Sequence, residues 1–265
     1  MKRETKNKLA KLEDYIKNLG SIAIAFSGGT DSSFLLYLAH KILNENAIGL
    51  TVKSPYIAQW EIDEALEFVK KYKIRHKTIE LPFDEQIRNN PANRCYICKL
   101  KVFGLLKKEG ASLGFRYLAD GTNLDDLSDF RPGLRALKEM EIRSPLLECQ
   151  ITKNEIREIS KHLNIPTWNK PAYACLLTRL PVDTKISEES LRRIEKAEKY
   201  LIDKGIKAVR VREHGNIARI ETTENNISIL LNPEMRSNIA KALKNLGFHY
   251  VCVDLEGYRT GSMNN

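Results

Sequence analysis

The sequence predicts an α/β fold: a doubly wound parallel sheet followed by a smaller C-terminal α/β domain. Three observations predict it. Short apolar runs alternate with amphipathic stretches from the N-terminus to about residue 119, the order that builds strand–helix–strand units. A Gly-rich turn, Ser27-Gly28-Gly29-Thr30, joins the first apolar run to an apolar helix. A Pro-containing stretch, Pro166–Pro181, leads into a region with its own order of helix, strand, strand, helix and strand. The expected divisions are residues 1–165 for the first domain, 166–186 for a cysteine-bearing connection and 187–265 for the C-terminal domain.

Each element has its own reason. Residues Lys6–Leu19 carry Leu9, Leu12, Ile16 and Leu19 among charged side chains, which is helical spacing. Ser21–Phe26 (SIAIAF) is short and apolar and reads as a buried strand. Ser32–Leu43 is the apolar helix after the turn, Ile48–Val52 the second strand, Glu61–Tyr72 a helix and His76–Leu81 the third strand. Val102–Leu113 reads as a helix and Tyr117–Ala119 as the fourth strand. Thr152-x-x-Glu155 is a capping-box pattern heading a helix that ends before Asn164-Ile165-Pro166. Further on, Ser187 to Leu201 is helical, Ala208–Val211 and Ile217–Glu221 are strands, Pro233–Leu246 is a helix and His249–Val253 a strand. The tail Gly257–Asn265 is expected to be loose.

Composition narrows the class. The 265 residues carry a formal net charge of +9, with 42% apolar and 29% charged residues. That profile belongs to a folded globular chain and excludes wholesale disorder. No apolar run approaches the roughly 18 residues of a membrane span, and the charged N-terminus has no apolar signal region. The expected compartment is the cytoplasm, with no membrane partner. The positive charge favours anionic partners without choosing among them. Five cysteines, Cys95, Cys98, Cys149, Cys175 and Cys252, are too few for a disulfide scaffold and point to thiols or metal ligation.

Ser27-Gly28-Gly29-Thr30-Asp31-Ser32-Ser33 lies between a predicted strand and a predicted helix. Glycines let backbone amides approach an oxygen closely, and the helix adds its unpaired N–H groups and positive dipole end. Hydroxyls supply further donors. By itself the string also fits a tight turn with a Ser cap. No G-x-x-x-x-G-K-[ST] loop is present. After the fourth strand comes Asp120-Gly121-Thr122-Asn123-Leu124-Asp125-Asp126-Leu127-Ser128-Asp129. Asp125 and Asp126 suit Mg²⁺ held against phosphate oxygens, and Arg131 suits a phosphate. Gly121 and Thr122 would close against the same ligand. A turn rich in capping Asp is the alternative.

Cys95-Tyr96-Ile97-Cys98 can present two thiolates to one metal, and Cys175 is the best third ligand. Lys170 and Arg179 near it in sequence favour a thiolate. Three cysteines suffice for an iron–sulfur cluster with one open iron. Two small residues at a helix start, or a redox dithiol, are the other readings of the pair. Cys149 and Cys252 are expected in the core.

Several strings then converge: the loop itself; Asn93-Arg94-Cys95-Tyr96-x-Cys98-Lys99; Asp120-Gly-Thr-Asn-x-Asp125-Asp126; Arg143-Ser144-Pro145-Leu146; Lys170-Pro171 through Cys175-Leu176-x-Thr178-Arg179; and Val209-Arg210-Val211-Arg212-Glu213-His214-Gly215. The loop resembles that of the PP-loop (N-type ATP pyrophosphatase, adenine nucleotide alpha hydrolase-like) superfamily. The combination resembles the ATP-dependent sacrificial sulfur transferases (LarE), from about Ser21 to Glu221. The resemblance implies ATP-driven adenylation of a carboxylate on a pyridinium dicarboxylate mononucleotide. A sulfur nucleophile then displaces AMP to give a thiocarboxylate for the nickel-pincer cofactor. It implies a phosphate cradle of Ser27–Ser33 with Gly121 and Arg131, and catalytic roles for Asp31 and Cys175. Two branches exist. In one, the protein cysteine gives up its sulfur and becomes dehydroalanine. In the other, three cysteines hold a four-iron (4Fe-4S) cluster that delivers sulfide. The presence of Cys95 and Cys98 beside Cys175 favours the cluster. Arg210 and Arg212, two apart on a strand and so on one face, would clamp the substrate phosphate. The resemblance adds Glu198 as a metal or substrate contact. The implied cofactors are ATP, Mg²⁺ and the cluster, and the expected assembly is a homo-oligomer.

Two other activities share part of this pattern. A tRNA thiolase would share the loop and cysteines, but no RNA-binding module is recognisable and no nucleic-acid partner is expected. A nucleotide-binding redox or metal sensor would bind ATP without releasing pyrophosphate.

Overall fold

The computed structural model describes residues 1–128, 132–259 and 263. The chain forms two compact units. One comprises Met1–Ser54, Gln59–Pro82 and Cys95–Lys170; the other comprises Pro55–Ala58, Phe83–Arg94 and Pro171–Asn265.

The first unit contains α1 (Arg3–Leu19), β1 (Ile22–Ala25), α2 (Thr30–Leu43), β2 (Ala47–Lys53), α3 (Gln59–Tyr72), β3 (His76–Glu80), α4 (Arg94–Ser112), β4 (Leu118–Ala119), α5 (Pro132–Glu139), α6 (Pro145–Glu148) and α7 (Lys153–His162). Its four strands are parallel in the order β3-β2-β1-β4, so the α/β expectation holds. Both faces of the sheet are covered. Ile22, Ile24 and Phe26 face a core with α1, α2, α3 and α7. Ala23, Ile48, Leu50 and Val52 face a second core with Phe103, Leu106 and Leu137. Burial on both sides explains why β1 and β2 read as continuous apolar runs rather than alternating ones. The predicted capping box forms at α7: Glu155 N–H donates to Thr152 Oγ1 at 3.3 Å, and Thr152 N–H donates to Glu155 Oε2 at 2.9 Å.

The order β3-β2-β1-β4 contains one reversal, between β1 and β4. Strand β1 connects through α2 to β2 on one side, and its other neighbour is β4. Loops leaving the carboxyl ends of two such strands diverge and open a crevice for ligands. These are the Ser27–Thr30 loop and the segment from Asp120.

Two differences matter. Helix α4 begins at Arg94, eight residues ahead of the expected Val102, so Cys95 and Cys98 lie on helix. The Pro-Ala-Asn-Arg turn leads straight into the helix, since nothing after Pro91 blocks one. Helices α5 and α6, of eight and four residues, are too short to show a period.

The second unit contains α8 (Glu188–Asp203), β5 (Arg210–His214), β6 (Ile217–Glu221), α9 (Glu224–Leu230), α10 (Pro233–Asn245) and β7 (Tyr250–Val253). Its sheet runs β5-β6-β7, antiparallel then parallel. Leu201, Val211, Ala218, Ile220, Leu243 and Phe248 form its core. Strand β5 starts at Arg210 rather than Ala208, because Ala208 has φ +54° and cannot extend a ladder. Cys252 is exposed, against the core expectation: Val251 and Val253 pack on the core, and alternation turns Cys252 outward. Cys149 is buried as expected. The tail is not loose throughout, since Tyr258 N–H donates to Thr222 O at 2.9 Å and Met263 is buried. Among the described residues no helix is long and apolar enough to cross a membrane.

Candidate functional site

The first unit carries an anion cradle. Phe26, the last residue before the loop, is fixed by its N–H to Leu50 O at 2.8 Å and by Thr51 Oγ1 donating to its carbonyl at 2.7 Å. Thr51 Oγ1 also lies 2.8 Å from His76 Nε2. Its one proton serves Phe26, so the imidazole N–H is the donor there. Burial holds the His76 pKa below its ordinary value, in keeping with a neutral ring. Gly28 has φ +69°, and a Cβ on it would sit 2.9 Å from Ala65 Cβ on α3; only glycine fits that approach. Gly29 is the N-cap of α2 and no side chain caps the helix there. The first-turn N–H groups therefore remain available to an anion. Ser27 Oγ and Ser32 Oγ are 3.1 Å apart. These features fit ATP phosphates.

The loop after β4 closes on the same helix end. A Cβ on Gly121 would come within 3.0 Å of Ser32 N and 3.2 Å of Asp31 Cβ. Asp120 is fixed by hydroxyls of Ser144, at 2.7 Å, and Thr122. Asp126 Oδ2 accepts the Asn123 N–H at 2.9 Å, and Asp125 Oδ2 accepts the Lys153 N–H at 2.8 Å. Lys153 Nζ meets both Asp31 oxygens, at 2.7 and 2.6 Å. Burial pushes the Asp31 carboxyl up; Lys153 opposes this and the nearby Asp126 adds to it. Among the described residues no three His, Cys, Asp or Glu side chains gather into a metal-holding group. Mg²⁺ that rests mainly on phosphate oxygens and water needs only one or two carboxylates, and Asp125 and Asp126 are two carboxylates of this loop. Arg131 lies outside the described residues.

Cys95 and Cys98 stand one turn apart on α4, Cys95 exposed and Cys98 half-buried, so the pair shares a helix face and offers two ligands.

In the second unit, Cys175 precedes a 3-10 turn, Leu176–Arg179. Its carbonyl accepts from Thr178 N–H at 3.0 Å, Thr178 Oγ1 at 2.8 Å and Arg179 Nη1 at 3.1 Å. Arg179 is fully buried and forks onto Glu198, Nε to Oε1 at 2.8 Å and Nη2 to Oε2 at 2.9 Å. Glu198 also accepts the Val211 N–H at 2.9 Å. Arg212 donates to Glu221 Oε2 at 2.9 and 2.7 Å and to Thr178 O at 2.7 Å. Arg210 donates to Ala172 O and lies between the rings of Tyr173 and Tyr258. It pairs with no carboxylate among the described residues. Burial lowers its pKa, and Arg179 and Arg212 add repulsion. Three guanidiniums thus grip the backbone around Cys175 and leave an excess of positive charge.

Comparison with known proteins assigns the family. The family described as NAD synthase matches residues 4–93. A Methanocaldococcus jannaschii protein is 40% identical over 96% of this chain and 98% of its own, and a Synechocystis one 38% identical over 97% of each; both are described as uncharacterized. The pyridinium-3,5-bisthiocarboxylic acid mononucleotide synthase of Lactiplantibacillus plantarum is 34% identical over 97% of this chain and 94% of its own. The chain belongs to the LarE family of sulfur transferases. As a LarE-family member it is an ATP-using enzyme with sulfur transferase activity.

The structure brings Ser27, Gly29, Asp31, Ser32 and Gly121 of this LarE-family enzyme to one helix end, beside the Asp125–Asp126 loop. Sequence reasoning missed Lys153. A signal was present: a cation at the first position of a helix opposes the dipole, so its placement needs a partner, here Asp31. It also missed Asn90, buried at φ +50°, whose amide donates to the carbonyls of Leu180 and Pro181 at 3.1 and 2.8 Å and anchors the end of the Cys175 turn.

Proposed function

We propose that this LarE-family enzyme adenylates a carboxylate of a pyridinium dicarboxylate mononucleotide and converts it to a thiocarboxylate, a step toward the nickel-pincer cofactor. The observation that carries this is the near full-length relationship to the Lactiplantibacillus plantarum synthase. The geometry agrees. The open N-terminus of α2 and the Ser27–Ser33 loop receive the ATP phosphates. Asp31, oriented by Lys153, stands beside the acidic loop, where Asp125 and Asp126 are the groups to hold Mg²⁺. A substrate carboxylate oxygen attacks the α-phosphorus, and pyrophosphate leaves toward the positive helix end, where developing charge is met by preset donors. A sulfur nucleophile then attacks the acyl carbon and expels AMP. Cys175 belongs to that second step, and Arg210 and Arg212 suit the phosphate of the mononucleotide. Glu198 orients Arg179 and, through it, the Cys175 backbone; it is the remaining candidate for a metal or substrate contact.

The sulfur source is the finer part of the proposal. Cys95, Cys98 and Cys175 are the residues to hold a 4Fe-4S cluster. Such a cluster, when bound, supplies a sulfide nucleophile in place of the cysteine's own sulfur. The test of the main reading is product formation. AMP and pyrophosphate should form in equal amounts with a carboxylated pyridinium mononucleotide and not with tRNA. Thiolated RNA from tRNA and ATP, without the pyridinium nucleotide, would overturn it in favour of a tRNA thiolase.

A further inference from the structure

Lys170 ends the first unit; beyond its nearness in sequence to Cys175, no role has been given to it above. Its side chain is largely buried, with 13% exposed, and its Nζ donates to the Gly28 carbonyl at 3.0 Å while pairing with Glu64 of α3 at 2.7 Å. The backbone that carries it is itself fixed. Thr30 Oγ1 donates to Thr167 O at 2.9 Å, and Arg157 donates to Trp168 O and Lys170 O at 3.0 and 3.1 Å. The segment Thr167–Lys170 is thus tied to the end of the phosphate loop at Thr30 and to α7 at Arg157.

The Gly28–Gly29 peptide is the weak point of that loop. With glycine on both sides, it can rotate end over end at little steric cost. A trans peptide is planar, so its C=O and N–H point opposite ways. With the Gly28 carbonyl turned to Lys170, the Gly29 N–H must face away, toward the open end of α2. There it makes a long contact to Ser27 Oγ, 3.4 Å. A flipped peptide would instead aim a carbonyl oxygen into the cradle and repel phosphate. We propose that Lys170 is a positioning residue that holds this peptide in its anion-binding orientation, with Glu64 fixing the ammonium group. The inference rests on the reading of Ser27–Ser33 as the ATP phosphate loop.

The test compares ATP, pyrophosphate and adenosine binding to the full-length enzyme and its variants. Lys170→Met should weaken ATP and pyrophosphate by about tenfold or more, a shift well outside scatter, and leave adenosine binding unchanged. Lys170→Arg should restore most of the loss. Glu64→Gln should weaken both phosphate ligands in the same direction but less. Tighter ATP binding by Glu64→Gln would mean that Lys170 meets phosphate directly, and would overturn the proposal. So would an equal loss of adenosine and ATP affinity, which marks general damage. Ser27→Ala separates the two levels. Weakened pyrophosphate binding in Ser27→Ala with none in Lys170→Met overturns the inference alone; no change in either variant overturns the loop reading and the inference with it. Should Lys170→Met fail to fold, Glu64→Gln decides.

Discussion

At Asp31 and Lys153, two side chains from distant parts of the sequence neutralise each other beside an open helix end. The pairing explains how a half-buried carboxylate is held beside the proposed phosphate cradle: Lys153 offsets the charge that burial penalises. The Cys175 backbone is fixed through its carbonyl, by Thr178 and Arg179. Alanine at this position leaves those carbonyl hydrogen bonds in place. Cys175→Ala should therefore keep substrate-dependent pyrophosphate release and lose thiocarboxylate formation. The two products, followed separately, check this; a thiocarboxylate yield equal to that of the unmodified enzyme would remove Cys175 from the chemistry.

Among the elements, α8 and the turn at Leu176–Arg179 are joined by the Arg179–Glu198 fork, both side chains about 1% exposed. Removing one partner of a buried ion pair strands the other charge, at a cost of about 3–5 kcal/mol. Arg179→Met should lower the unfolding free energy by that much, read as a lower urea midpoint at unchanged m. Arg179→Met combined with Glu198→Leu should recover part of the loss, because the stranded charge is gone; recovery stays partial, since Glu198 also accepts the Val211 N–H. A loss under about 1 kcal/mol would show that water reaches the site. Elements with a clear period were legible from residue order, among them α1, α3 and α8. The start of α4 was not, because a Pro-Ala-Asn-Arg turn ahead of a helix looks the same whether the helix follows at once or eight residues later.

For the molecule as a whole, the sulfur source turns on whether cysteines far apart in sequence act together. The measurement is iron and acid-labile sulfide per chain after anaerobic purification. Four irons per chain, falling when Cys95, Cys98 or Cys175 is replaced by Ala, is the outcome the cluster reading expects. Iron-free protein that completes at most one thiolation per chain would show that a cysteine sulfur is consumed instead.

Residue order alone determined the glycine-rich loop after β1, the α/β alternation and the family, because each is written in contiguous strings: S-G-G-T-D-S-S, the apolar runs that form β1 and β2, and the cysteine and arginine motifs. What only the tertiary structure decided are the partners. Lys153 on Asp31, Lys170 on Gly28, Asn90 on Pro181 and Arg212 on Glu221 join residues separated by up to 142 positions. Such contacts follow from which strand ends and helix ends the sheet order brings together. A charged side chain carries no mark of its partner until burial removes water as the alternative.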